Sequence, residues 1–149
     1  MNAAVLYAVV IFWQTQLSST PFEDSVVNTP LNALDALILA GGMGTRLQSV
    51  VKDRPKPMAY VGGKPFLEHL LCDLRRQGIR RVILCTGHQR EAIRDHFGDG
   101  SRWQLQLDYS HEQAPLGTGG ALRQALDRVR SERFFALNGD SFCNPDLAL

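Results

Sequence analysis

Leu37-Ile38-Leu39-Ala40-Gly41-Gly42-Met43-Gly44-Thr45-Arg46-Leu47 is the stretch that decides the fold. Its apolar residues run without alternation and stop at a glycine pair, the pattern of a strand buried on both faces of a parallel sheet. Val82-Ile83-Leu84-Cys85 repeats it downstream, and residues 134–137 repeat it again before Asn138-Gly139-Asp140. Trp103, Leu105, Leu107 and Tyr109 alternate with Gln104, Gln106 and Asp108, which predicts a half-buried strand.

Helical spacing fills the intervals. Phe66, Leu67, Leu70, Leu71 and Leu74 follow Pro65, with Gly78 placed to cap the end. Residues 89–97 read as a second helix, closed by Gly98 and Gly100. Ala121, Leu122, Ala125, Leu126 and Val129 give a third. Residues 59–61 before Gly62-Gly63 read as a short extended piece and a tight turn. Strands alternating with helices imply crossover connections. The expected class is therefore α/β: a Rossmann-like three-layer α/β/α architecture with a mainly parallel sheet. Ligands of such sheets sit at the carboxyl ends of the strands. The informative positions are thus residues 41–46, 86–88 and 111–120, and Asp140.

The chain has 149 residues, 44% hydrophobic and 21% charged, with a net charge of +1. That suits one domain rather than two, and gives no electrostatic reason for a nucleic-acid or membrane-surface partner. Cys72, Cys85 and Cys143 have no metal-type spacing. They read as reduced thiols and a cytoplasmic setting. Residues 3–13 are apolar but shorter than the roughly 20 residues that span a bilayer. No Lys or Arg precedes them, as a secretory signal would require. An uncleaved anchor and a bland extension are both open readings; residues 1–33 are expected to lie outside the domain, which occupies residues 34–149.

The glycine loop invites a phosphate, because glycine lets backbone N–H groups approach its oxygens. A Walker A loop would need Gly-Lys-Ser/Thr, which is missing here. A dinucleotide fingerprint would need glycine in place of Leu47 and an acid near Tyr60. What remains is a loop that delivers Arg46, followed by Pro55-Lys56-Pro57. A guanidinium can grip pyrophosphate oxygens in pairs, and a proline-flanked ammonium has restricted reach. A second glycine-rich connection, Glu112-Gln113-Ala114-Pro115-Leu116-Gly117-Thr118-Gly119-Gly120, leads into the third helix. Its helix start offers free N–H groups. Glu112 reads either as a capping carboxylate or as an acceptor for the two donors on guanine's edge. His88 reads as structural. Asp140, ending a buried strand, is placed to be a partial ligand for Mg²⁺.

The segments 39–47 and 55–57 together resemble the signature of the sugar-phosphate nucleotidyltransferases. Residues 49–58 and 63–68 resemble the branch that guanylylates D-glycero-α-D-manno-heptose 1-phosphate. The resemblance runs from about Leu34 to the end of the chain. It implies a truncated nucleotidyltransferase (GT-A-like) fold. It also implies GTP, or another nucleoside triphosphate, and a sugar 1-phosphate as substrates, Mg²⁺ as cofactor, and a homo-oligomer in the full-length form. Leu39, Ala40, Gly41, Gly42, Gly44, Thr45, Glu112, Gly117 and Thr118 would bind the nucleotide. Arg46 would meet pyrophosphate, Lys56 a phosphate opposite the metal, and Asp140 the metal itself. Mannose-1-phosphate guanylyltransferase, a uridylyl- or thymidylyltransferase, and an inactive nucleotide-binding regulatory module are the alternatives. Family members carry a second metal aspartate and most of the sugar pocket further on. The chain is therefore expected to be an incomplete copy that binds GTP weakly and turns over poorly.

Overall fold

The computed structural model describes residues 29–42, 54–141 and 147, and the backbone of residues 11–14. Its strands are β1 (Ile11–Gln14), β2 (Asp35–Leu39), β3 (Tyr60–Val61), β4 (Lys64–Pro65), β5 (Arg81–Thr86), β6 (Gln106–His111) and β7 (Arg133–Asn138). The helices are α1 (Phe66–Gln77), α2 (Arg90–Phe97) and α3 (Gly117–Ala125). The main sheet runs β1-β7-β2-β5-β6. β2 pairs in parallel with both β5 and β7, and β5 in parallel with β6.

Residues of the central strands alternate between two cores. Ala36, Ile38, Val82 and Leu84 face Leu67, Leu70, Leu71 and Leu74 of α1 with Ile93 and Phe97 of α2. Leu37, Ile83 and Cys85 face Ala121 and Ala125 of α3. Helices thus cover both faces of the sheet, and the expected three layers are present. Because both sides are covered, β5 is buried at every residue, which is why its sequence shows no alternation. Burial of each α1 leucine stabilises by roughly 1.5–3 kcal/mol. α1 itself begins after Pro65, whose φ of −55° suits a helix start. It ends at Gly78, where φ is 116° and the N–H bonds back to Arg75 and Leu74.

Three expectations need correction. Trp103 is not in a strand: it closes a 3₁₀ turn, Ser101–Trp103, and β6 begins only at Gln106. Gly100 at φ 85° and Gln104 at φ 56° bend the chain there, and bending overrides the alternation. The third helix stops at Ala125 and tightens into the 3₁₀ turn Leu126–Arg128, so Val129 is extended. Finally, part of the stretch read as an extension joins the sheet, since Ile11–Gln14 pairs antiparallel with β7. Composition carries no trace of such a long-range pairing.

At the amino end of the strands the sheet is closed by a buried ion network. Asp35 is 4% exposed and Arg81 8%. Arg81 Nη1 donates to Asp35 Oδ2 at 2.9 Å, and Nη2 donates to the Arg128 carbonyl at 2.8 Å and to Asp108 at 3.2 Å. The same Asp35 oxygen accepts from the backbone N–H of Arg130 at 2.6 Å. Arg81 Nε stays buried with no partner among the described residues. No helix among the described residues is long and apolar enough to cross a membrane.

Candidate active site

At the opposite, carboxyl end the strands open into a cavity of about 840 Å³. That volume is of nucleotide size. Leu39, Ala40, Gly41 and Gly42 form one wall, Glu112, Gly117 and Thr118 another, and Lys56 and Asp140 a third. Gly44, Thr45 and Arg46 lie outside the described residues. Every other residue read from the sequence as a site residue lines this one space.

Backbone contact explains several of the glycines. A Cβ on Gly41 would stand 3.0 Å from the Gly87 nitrogen and 3.0 Å from a Glu112 carboxylate oxygen. A Cβ on Gly87 would stand 2.8 Å from the Gly41 carbonyl oxygen. The loops after β2 and β5 therefore touch through bare backbone, with Glu112 from the β6 loop against them. Among the described residues, nothing lies within 4 Å of where a Cβ on Gly42 would stand. The other oxygen of Glu112 accepts from the Leu116 N–H at 3.0 Å. This bond closes the turn into α3 at the edge of the cavity, with the first carboxylate oxygen left facing Gly41.

Lys56 is placed by its neighbours. It starts a 3₁₀ turn, Lys56–Met58, in which the Met58 N–H bonds the Pro55 carbonyl at 2.8 Å, while Pro57 and Met58 are buried. The β3–β4 hairpin follows, turning through Gly62 at φ 57° and Gly63 at φ 86°. Two successive positive φ values match a type I′ turn. Asp140 is placed by Gly139. The Gly139 N–H donates to the Leu39 carbonyl at 2.9 Å, and a Cβ there would sit 2.7 Å from that oxygen. Only glycine lets β7 end so close to β2.

Lys56 Nζ donates to Asp140 Oδ2 at 2.6 Å, although 84 residues separate the two in sequence. The sequence reading set them on opposite sides of a triphosphate; here they pair directly. Opposite charges on adjacent loops with nothing between them minimise their energy by contact. Burial pushes the Asp140 carboxyl up, but the Lys56 hydrogen bond and charge, with the Ser141 hydroxyl, outweigh it and hold it below its usual range. Asp140 is thus an anionic oxygen donor at neutral pH, suited to a hard divalent cation. No group of three or more His, Cys, Asp or Glu among the described residues is placed to hold a metal. Asp140 fits a metal as one ligand beside others, such as waters and phosphate oxygens.

Gln89, Arg90, Glu91 and Asn138 line the same cavity and were not read from the sequence as site residues; His88, read as structural, and His111, within an informative stretch, line it too. Their signal was position, immediately after or at the end of a buried strand.

The nucleotidyl transferase family pattern matches residues 35–148. This chain belongs to the nucleotidyl transferase family. It is similar to the D-glycero-α-D-manno-heptose 1-phosphate guanylyltransferase of Campylobacter jejuni, with 46% identity over 77% of this chain and 51% of that protein. It is also similar to the mannose-1-phosphate guanylyltransferase of Mycobacterium tuberculosis, with 42% identity over 77% of this chain and 32% of that protein. The crystal structure of HddC from Yersinia pseudotuberculosis complexed with GMP-PN superposes with a TM-score of 0.69 at 42% identity. The match covers 76% of this chain and 50% of that one. The chain spans about half the length of the heptose-type relatives. The matched segment contains both glycine-rich loops and the Lys56–Asp140 pair.

Proposed function

We propose that residues 34–149 are the nucleotide-binding half of a cytoplasmic guanylyltransferase. The reaction moves GMP from GTP to a sugar 1-phosphate, D-glycero-α-D-manno-heptose 1-phosphate, and releases pyrophosphate. The product would serve nucleotide-sugar and cell-surface polysaccharide synthesis. One observation supports this most: Lys56 and Asp140 meet inside a cavity walled by the two glycine-rich loops. The sugar phosphate is its own nucleophile, so no protein nucleophile is required. The chain's work is positioning and charge stabilisation.

In this reading the two glycine-rich loops take the nucleotide, Lys56 moves from Asp140 to a phosphate, and Arg46 holds pyrophosphate. Asp140, together with phosphate oxygens, would hold Mg²⁺, which supplies charge neutralisation along the triphosphate. Glu112 carries the preference for guanine, since a carboxylate accepts both donors of its edge. Mannose 1-phosphate is the second candidate acceptor, favoured by the 42% identity to the mycobacterial enzyme.

The test is titration of the four common nucleoside triphosphates with Mg²⁺ against the 149-residue chain, which retains β1 on the sheet. GTP should bind best, and Asp140→Asn should remove the metal dependence. Equal binding of all four would overturn the guanine assignment, and binding untouched by Asp140→Asn would overturn the metal assignment.

A further inference from the structure

The two oxygens of Asp140 are held by groups of very different character. Oδ2 accepts from Lys56 Nζ at 2.6 Å, and Oδ1 accepts from the Ser141 hydroxyl at 3.1 Å. Ser141 is 7% exposed. It sits next to Asp140 on the backbone leaving β7, and burial means that a hydroxyl rotated off the carboxylate would need another partner inside the fold. The Lys56 side chain is 30% exposed and reaches Asp140 from another loop on a flexible stem. The first contact is built in; the second is free to exchange.

We propose that Ser141 is the positioning residue of this site: its hydroxyl fixes the orientation of the Asp140 carboxylate. Lys56 is the exchangeable counter-cation that a divalent cation displaces from Oδ2. The inference rests on the nucleotidyl-transfer reading above, and adds to it a residue and an order of events. Two cations cannot share one carboxylate oxygen at hydrogen-bond distance without repulsion. Metal entry therefore expels the ammonium into the cavity, where a phosphate is its natural partner. Ser141 meanwhile keeps Oδ1 occupied, so the carboxylate does not swing as its other partner changes. Groups that orient a metal ligand in this way are commonly worth about 10- to 100-fold in metal affinity.

The experiment titrates Mn²⁺ into the 149-residue chain without nucleotide, counting free Mn²⁺ by electron paramagnetic resonance, with thermal melts to confirm folding. Ser141→Ala should weaken binding by about tenfold, and Ser141→Thr should restore it. Lys56→Gln should act in the opposite direction, tightening Mn²⁺ binding by roughly threefold because a part-exposed competitor is gone. A merely structural role for Ser141 would change the melting temperature and leave Mn²⁺ affinity alone. Asp140→Asn separates the two levels. If it abolishes binding while folded Ser141→Ala binds like the unchanged chain, the positioning role is overturned and the metal reading survives. If Asp140→Asn binds Mn²⁺ as well as the unchanged chain, the metal reading falls and this inference falls with it. Weaker binding in Lys56→Gln would overturn the exchange whether or not the Ser141 variants fold.

Discussion

The two ends of the sheet treat charge in opposite ways. At the amino end, Asp35 and Arg81 are buried, and each satisfies backbone groups as well as its partner. At the carboxyl end, Lys56 and Asp140 pair at 2.6 Å while their side chains remain 30% and 39% exposed. The first pair is committed: removing either member strands a charge in a low-dielectric site and unties the chain before β7. The second can be re-wired, because water or a ligand can replace either partner. The lesson is that a short ion-pair distance does not distinguish a fastening from a binding group. Burial and the number of backbone partners do.

The largest expected effect follows from that contrast. Asp35→Ala should destabilise by about 3–5 kcal/mol in urea unfolding, since it leaves the buried Arg81 with only the more exposed Asp108 as counter-charge and unties the backbone N–H of Arg130. Asp140→Ala should change stability by less than about 1 kcal/mol. Equal losses would erase the distinction. Next, Gly87→Ala should cost about 1–3 kcal/mol and weaken GTP binding, because its Cβ would meet the Gly41 carbonyl at 2.8 Å. Gly42→Ala, facing open space, is the control and should leave stability within about 0.5 kcal/mol.

Lys56→Gln should leave stability within about 1 kcal/mol. It should nevertheless weaken Mg·GTP about 10- to 100-fold in calorimetry, the scale of one charge-assisted hydrogen bond. The smallest effects lie in pH. Asp140 has a depressed folded value, so its contribution is present above 3.8 and fades as pH falls through that lower value. Asp140→Asn should flatten this acid limb of the stability curve. Cys85 runs the other way: burial, then the Glu112 charge, pushes its thiol from 9.0 up to about 12. Its contribution is complete below pH 9.0 and is lost as pH rises toward 12. Thiol-reagent labelling at pH 8 should reach Cys85 only on unfolding.

Much of this was legible in the sequence for local reasons. The unbroken apolar runs at residues 37–40 and 82–85 could only be strands covered on both faces. The glycines after them marked the ligand side, and Asp140 was identified because it ends such a run. What failed was non-local. Asp35 drew no reading from the sequence, because the group that makes its burial tolerable, Arg81, lies 46 residues away. Trp103 continued an alternation that backbone bends at Gly100 and Gln104 had already ended. Lys56 and Asp140 were read as site residues and both line one cavity, but their direct contact depends on two loops no pattern connects. Ser141 gave no signal, since a serine after a strand is unremarkable until its hydroxyl is seen on the carboxylate.

The contact between Gly41 and Gly87 carries a consequence for how such a cavity could change its ligand. Two loops that meet through bare backbone, with the Glu112 carboxylate wedged beside them, form a corner that cannot be widened or narrowed one side chain at a time. A bulkier residue on either loop displaces the other, and with it the carboxylate. Altered selectivity at this corner should therefore arrive by concerted substitutions across all three strand ends.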